Sequence, residues 1–174
     1  YLVRDQLERI GKLTNLPEIQ ITPSPTPLGY RNQVQFHPTR SENADATIHL
    51  GFICASSDEV LPIEKCLLIP DEMNELLSQI ELESESGINR LAMRMDGDGE
   101  IMLVFEGESD EPPELSIELP VSSTYLSPDG RSLNLGGNDA LVYRVLGKEF
   151  LVSPESFFQV NLPVAEEMVG HVLS

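Results

Sequence analysis

Long apolar runs are missing from this chain. None of its 174 residues lies in a stretch approaching the roughly 18 consecutive apolar residues that a membrane-spanning helix requires. Cysteine is nearly absent. Cys54 and Cys66, with eleven residues between them, match no zinc-ligand spacing and read as two thiols of a reducing, cytoplasmic setting rather than a disulfide framework. Histidine is confined to His37, His49 and His171, and no helical spacing pairs any two of them as metal ligands. Glycine-rich cradles are also lacking. Gly97 and Gly99 form the one G-x-G, and Gly136–Gly137 stands alone; neither has the strand-to-helix context of a nucleotide loop. The carboxylates of "DGDGE" alternate, but strands flank them and the motif reads as a turn, not a calcium loop. On residues alone, no complete active site is present.

Positive charge is scarce too. Eleven Lys and Arg face 29 Asp and Glu, for a net charge of −18, a balance that argues against binding a polyanion. The distribution qualifies this. Residues 1–40 carry five Lys/Arg against three acids, residues 41–120 carry three against twenty, and residues 121–174 carry three against six. The first segment is the net-positive one, and the acidic middle reads as a solvated face.

What is present is a series of short alternating runs separated by turn residues. Residues 1–10 place Leu2, Val3, Leu7 and Ile10 on one side of a helix that Gly11 stops. "LPEIQITPSPTPLG" follows, an extended connector set by its prolines. Strands are expected over 30–39, 46–53 and 59–66, with 41–45 as the turn of a first hairpin. Met73, Leu76, Leu77 and Ile80 mark the central helix, with Asp71 and Glu72 at its positive end. A hairpin is expected around 96–99, one or two strands over 115–126, and another hairpin turning at Gly147–Lys148. Asn161 and Pro163 open a last helix with Val164, Met168 and Val172 on one face. The sum is an α+β fold: antiparallel hairpins forming a sheet with one packed helix, and helical fragments at both ends.

Two stretches carry chemistry. In "YRNQVQFHP", 30–38, alternation puts Arg31, Gln33, Gln35 and His37 on one face, four planar hydrogen-bonding groups in a row. The opposite face carries Val34 and Phe36. In "SPESFFQVN", 153–161, two aromatics precede Gln159 and Asn161. Phenylalanine offers a π-face to a base, and the amides offer the paired donor and acceptor that read a base edge. The plainer reading, aromatics anchored in the core and Asn161 capping a helix, accounts for the same residues.

Taken in order, "GYRNQVQFH" at 29–37, "LGFICASSDEVLPIEKCLLI" at 50–69 and "FLVSPESFFQVNLPVAEEMV" at 150–169 resemble the RNA (uracil-5-)-methyltransferase family, in the region between its N-terminal barrel and its C-terminal methyltransferase domain. The resemblance implies transfer of a methyl group from S-adenosylmethionine to carbon 5 of a uridine in rRNA or tRNA. It implies that a cysteine nucleophile, a base and the cofactor loop all lie beyond Ser174, so that this chain is inactive alone. It places Phe36 near the target nucleotide, Phe157 or Phe158 against a base, Gln159 on the flipped uracil or on the cofactor, and Arg31 at a phosphate. Cys66 corresponds to the fourth ligand of a 4Fe–4S cluster found in many members, with the other three upstream of Tyr1. A cluster takes four thiolates, so none is expected in this chain, and Cys54 is an ordinary residue. The start at Tyr1 rather than Met fits a piece of a longer protein. Expected segments are 1–28, helix and connector; 29–152, a central α+β domain; and 153–174, the start of the methyltransferase domain. The alternatives are a non-enzymatic RNA- or protein-binding module and an acidic β-rich interaction domain.

Overall fold

Alternation and turn chemistry form most of the elements. A computed structural model describes residues 2–39, 48–83, 86–115 and 120–174. They run α1 (Leu2–Asp5), a π-helical turn (Gln6–Ile10), β1 (Gln33–Pro38), β2 (Leu50–Ile53), β3 (Val60–Pro62), α2 (Asp71–Leu77), β4 (Ile88–Met95), β5 (Ile101–Gly107), β6 (Ser122–Leu126), β7 (Ser132–Gly136), β8 (Leu141–Val145), β9 (Lys148–Val152) and α3 (Leu162–Leu173). No helix among them is long and apolar enough to cross a membrane.

Seven strands make one sheet in the order β3-β2-β1-β4-β5-β6-β7, and β8 pairs with β9 apart from it. The expected α+β class holds. One pairing departs from the antiparallel expectation: β5 and β6 run parallel, Leu103 opposite Ser123 and Phe105 opposite Tyr125. A parallel neighbour needs a crossover connection rather than a tight turn, and nothing local in 108–121 announces one. β7 was not anticipated either. "SLNLG" alternates half-buried and exposed and stays an edge strand.

The sheet is covered on both faces. Val34, Phe36, Leu91, Met93, Leu103 and Phe105 pack with Met73, Leu76 and Leu77 of α2. Ala92, Met102 and Val104 face the other way, against Leu141, Tyr143 and Val152 of the β8–β9 hairpin. β4 and β5 are therefore buried on both sides, which explains runs such as "MLVF" in an otherwise alternating sequence.

Several bounds shift from expectation. β1 is shorter than its predicted run, because the N–H groups of Gly29, Arg31 and Asn32 donate to loop carbonyls, those of Leu67, Leu68 and Val160; of the run predicted for β2, Leu50–Ile53 form the strand, and residues 46–47 lie outside the described residues. The antiparallel pairing of β1 with β2, His37 opposite Gly51, is as expected; the predicted turn at 41–45 lies outside the described residues. The strand expected over 59–66 is confined to β3, and α2 ends before Ile80. Gly11 closes the first helix through an N–H bond to Gln6 O, and Leu2, Val3 and Ile10 are exposed.

The β8–β9 turn falls at Leu146–Gly147, one residue earlier than predicted. Both residues have positive φ, 49° and 72°, the pattern of a type I′ hairpin turn, which favours Asn-Gly. Leu146 is also largely exposed, so little packing opposes a change. Leu146→Asn is expected to raise stability by about 0.5–1 kcal/mol, read as a small upward shift of the thermal midpoint. A drop would show that the leucine side chain contributes packing.

Candidate functional site

Two side chains that sequence reasoning passed over hold the segment 153–161 in place. Arg94, on β4, stands opposite Gln33 of β1 and is buried. Its Nη1 donates to the carbonyl oxygens of Ser153 at 3.1 Å and Ser156 at 2.8 Å. Burial pulls its pKa below the ordinary arginine value, opposed by the Tyr143 phenol and the carboxylates of Glu155 and Glu106. A guanidinium stays protonated even so. Asn32 acts from the other end. Its N–H donates to Val160 O at 2.9 Å, its Nδ2 to Gln159 O at 3.1 Å, and its carbonyl accepts from Met95 N–H. The start of β1 and the segment 153–161 are thus joined directly.

The two phenylalanines separate. Phe158 stacks on Tyr143, ring centroids 4.6 Å apart, and is half-buried. Tyr143 is itself buried, and that desolvation pushes its pKa up to about 12, so its hydroxyl remains neutral there. Phe157 is 79% exposed. Asn161 is the helix cap expected of it: Oδ1 accepts from Val164 N–H at 3.2 Å, while Nδ2 donates to Ser24 Oγ and ties in the proline-rich connector.

Between these parts lies a cleft of about 390 Å³, lined by Arg31, Gln33, Gln35, Phe52, Cys66 and Phe157 with Val34, Leu68 and Val160. Arg31 is fixed through its backbone, N–H to Leu68 O at 2.8 Å, and its Nε donates to Gln33 O. The cleft has one cation and no carboxylate on its walls. The larger groove at the far end of β1 is lined by Asp58, Glu59, Glu83 and Glu108. In a chain of net charge −18, the cleft is the less acidic of the two.

Three of the four row residues meet there. His37 does not; it lines the acidic groove, with Nδ1 3.2 Å from Asn89 O. Six residues of strand at about 3.3 Å each span roughly 20 Å, which carries His37 to the other end of β1 from Arg31. Phe36 is fully buried, 0% exposed, so its ring does not reach a nucleotide directly in this conformation. Strict alternation on β1 puts it with Val34 in the core. Gln159 is exposed, between the two lining residues Phe157 and Val160.

Comparison with known proteins adds a family. No family model matches the chain. A protein named an uncharacterized RNA methyltransferase from Prochlorococcus marinus is 25% identical across 97% of this chain and 47% of its own length. The Vibrio parahaemolyticus 23S rRNA (uracil(1939)-C(5))-methyltransferase is 24% identical across 84% of this chain and 35% of its own. In fold, 97% of the chain matches 46% of the Pyrococcus abyssi tRNA (uracil-54, C5)-methyltransferase solved with S-adenosyl-L-homocysteine, with a TM-score of 0.68 and 19% identity. These likenesses support one family, the RNA uracil-5-methyltransferases.

The chain spans less than half the length of each of these relatives. Cys66 is buried in the cleft wall, and its backbone is held at both N–H and C=O by Asn74. One thiolate does not satisfy a 4Fe–4S cluster, and the described residues contain no group of three or more His, Cys, Asp or Glu placed to hold a metal. The signal that could have found Asn32 and Arg94 was weak. Each is a polar residue inside an otherwise apolar or alternating stretch, where burial demands a partner.

Proposed function

We propose that this chain is the central region of a longer S-adenosylmethionine-dependent enzyme that methylates carbon 5 of uridine in rRNA or tRNA, and that its cleft grips the RNA around the target. The observation that carries the reading is the junction itself. Flat amide, guanidinium and aromatic groups from residues 31–35 and from 153–161 line one carboxylate-free cleft, although more than 120 residues of chain separate Asn32 from its partner Gln159.

Arg31 pairs with a phosphate, the term that gives affinity and register rather than sequence. Phe157 offers its exposed face to an unstacked base. Phe158, engaged by Tyr143, anchors the segment instead. Gln159 presents a donor and an acceptor to the uracil edge. Together these contacts offset the few kcal/mol that extruding a base costs. The bound cofactor would supply the methyl group; the contribution of this chain is to bind and orient the RNA, with the nucleophile and cofactor loop beyond Ser174.

The test is direct. The full-length protein, incubated with labelled S-adenosylmethionine and undermodified total RNA, should yield labelled 5-methyluridine after digestion to nucleosides, and this chain alone should yield none. An unlabelled digest from the full-length protein rejects the reading. Within it, Gln159→Ala is expected to lower kcat/KM about 5- to 150-fold, the equivalent of the roughly 1–3 kcal/mol of a paired base-edge contact, with thermal unfolding unchanged. Wild-type rates would remove Gln159 from the site.

A further inference from the structure

Phe36 and Phe52 pose a question that the motif alone does not answer. The aromatic of the first motif is fully buried, whereas Phe52 of β2 is 37% exposed and lines the cleft. Their ring centroids lie 5.3 Å apart with a 38° tilt. We propose that Phe52 is a second base-stacking wall of the cleft, that Phe36 acts through it as a positioning residue, and that the site takes an unpaired nucleobase of single-stranded RNA. The inference rests on the RNA-binding reading above and extends it to a residue that reading did not use.

Four observations carry it. Phe52 is backed by the Phe36 ring, which is fully buried in the core. It is also held along the strand. Phe52 pairs with Leu61 of β3, and the preceding Gly51 lets β3 approach so closely that an added Cβ would lie 2.0 Å from Leu61 O. Phe157 lines the same cleft from a different segment, so aromatic surface comes from two elements. Gln33 and Gln35 add edge-reading amides, and Arg31 adds a cation beside them.

Size and charge narrow the ligand further. At about 390 Å³ the cleft sits near the lower end of the roughly 300–1,000 Å³ of small-ligand sites. That suits a base with its ribose and is too small for a duplex. Base–aromatic stacking is tolerant of sequence because every base has a π-face, so the wall selects for unpaired RNA and leaves identity to the amides.

The experiment uses the full-length protein with oligouridylate and a matched RNA duplex. Phe52→Leu keeps an apolar side chain on Phe36 but removes the ring. It is expected to weaken oligouridylate binding by about tenfold, within the roughly 1–3 kcal/mol of one base–aromatic stack, and to leave duplex affinity at the wild-type value. Phe52→Trp restores binding. Because this chain contains no tryptophan, the emission of Phe52→Trp in excess of wild type reports the wall, and oligouridylate should quench it. Phe36→Leu should lower single-strand affinity less than Phe52→Leu and in the same selective way.

Wild-type oligouridylate affinity in Phe52→Leu, or unmoved emission in Phe52→Trp, overturns the proposal. Emission alone decides it if the leucine variant fails to fold. The two readings fail separately. Formation of 5-methyluridine by wild type together with an indifferent Phe52 sinks the wall alone. Absence of 5-methyluridine with selective loss in Phe52→Leu sinks the reaction and keeps the wall.

Discussion

Arg94→Ala should lower the free energy of unfolding by about 3–4 kcal/mol. The guanidinium makes two charge-assisted bonds to the carbonyls of Ser153 and Ser156, each of a kind worth roughly 1.5–3 kcal/mol, and partial access of water to the freed carbonyls offsets part of the loss. For a chain of this size the thermal midpoint should fall by roughly 6–15 °C. A second effect is expected below that midpoint, where the variant is still folded. The segment bearing Phe157 and Gln159 loses its anchor at one end, so methyl transfer by the full-length protein falls further than the folded fraction does. Arg94→Lys should recover little of either, because an ammonium is a point charge without the planar fork. Urea unfolding followed alongside methyl transfer reads both. Unchanged stability in the alanine variant would show that the two carbonyls find water at no cost.

The second large effect is expected at Asn74, a buried side chain at the centre of α2. Its Oδ1 accepts from Cys66 N–H at 2.9 Å, and its Nδ2 faces the carbonyls of Cys66, Ile69 and Pro70 at 3.1, 3.4 and 3.1 Å. Asn74→Ala leaves the buried Cys66 peptide unpaired and should cost about 3 kcal/mol, given roughly 1–3 kcal/mol for each orphaned group. Asn74→Asp is the sharper case. It keeps the shape but turns a donor into a carboxylate aimed at three carbonyl oxygens. Burial and those oxygens raise the carboxyl pKa of the folded variant, so the variant is most stable below the unfolded value of about 3.9 and loses stability as pH rises through the folded one. Denaturant midpoints of this variant measured against wild type from acid to neutral pH should diverge upward in pH. Parallel curves would refute the donor role. The cleft should feel either change, because Gly29 and Arg31 donate their N–H groups to Leu67 O and Leu68 O in the loop that Asn74 organises.

The elements legible in the sequence were those whose cause is local. The turn at 96–99 joins two strands in register, Met95 opposite Ile101. Asn161 and Pro163 start α3 through a bond spanning three residues. Alternation in 33–38 separated Val34 and Phe36 from Gln33 and Gln35 as drawn. Each of these needs information from within about one turn or one pair of strands, where propensity and side-chain geometry act directly.

The amino-acid sequence by itself determined the α+β class, the helix starts, the apolar faces and the choice of two stretches as chemically unusual. Tertiary structure alone decided which residues of those stretches meet. It took His37 out of the row, put Phe36 behind Phe52, turned Phe158 toward Tyr143 and Phe157 outward, and set Arg94 against carbonyls some sixty residues away. The physical reason is that such choices depend on which buried surfaces and unpaired polar groups complement one another across the whole chain. No local window contains both partners of a long-range bond.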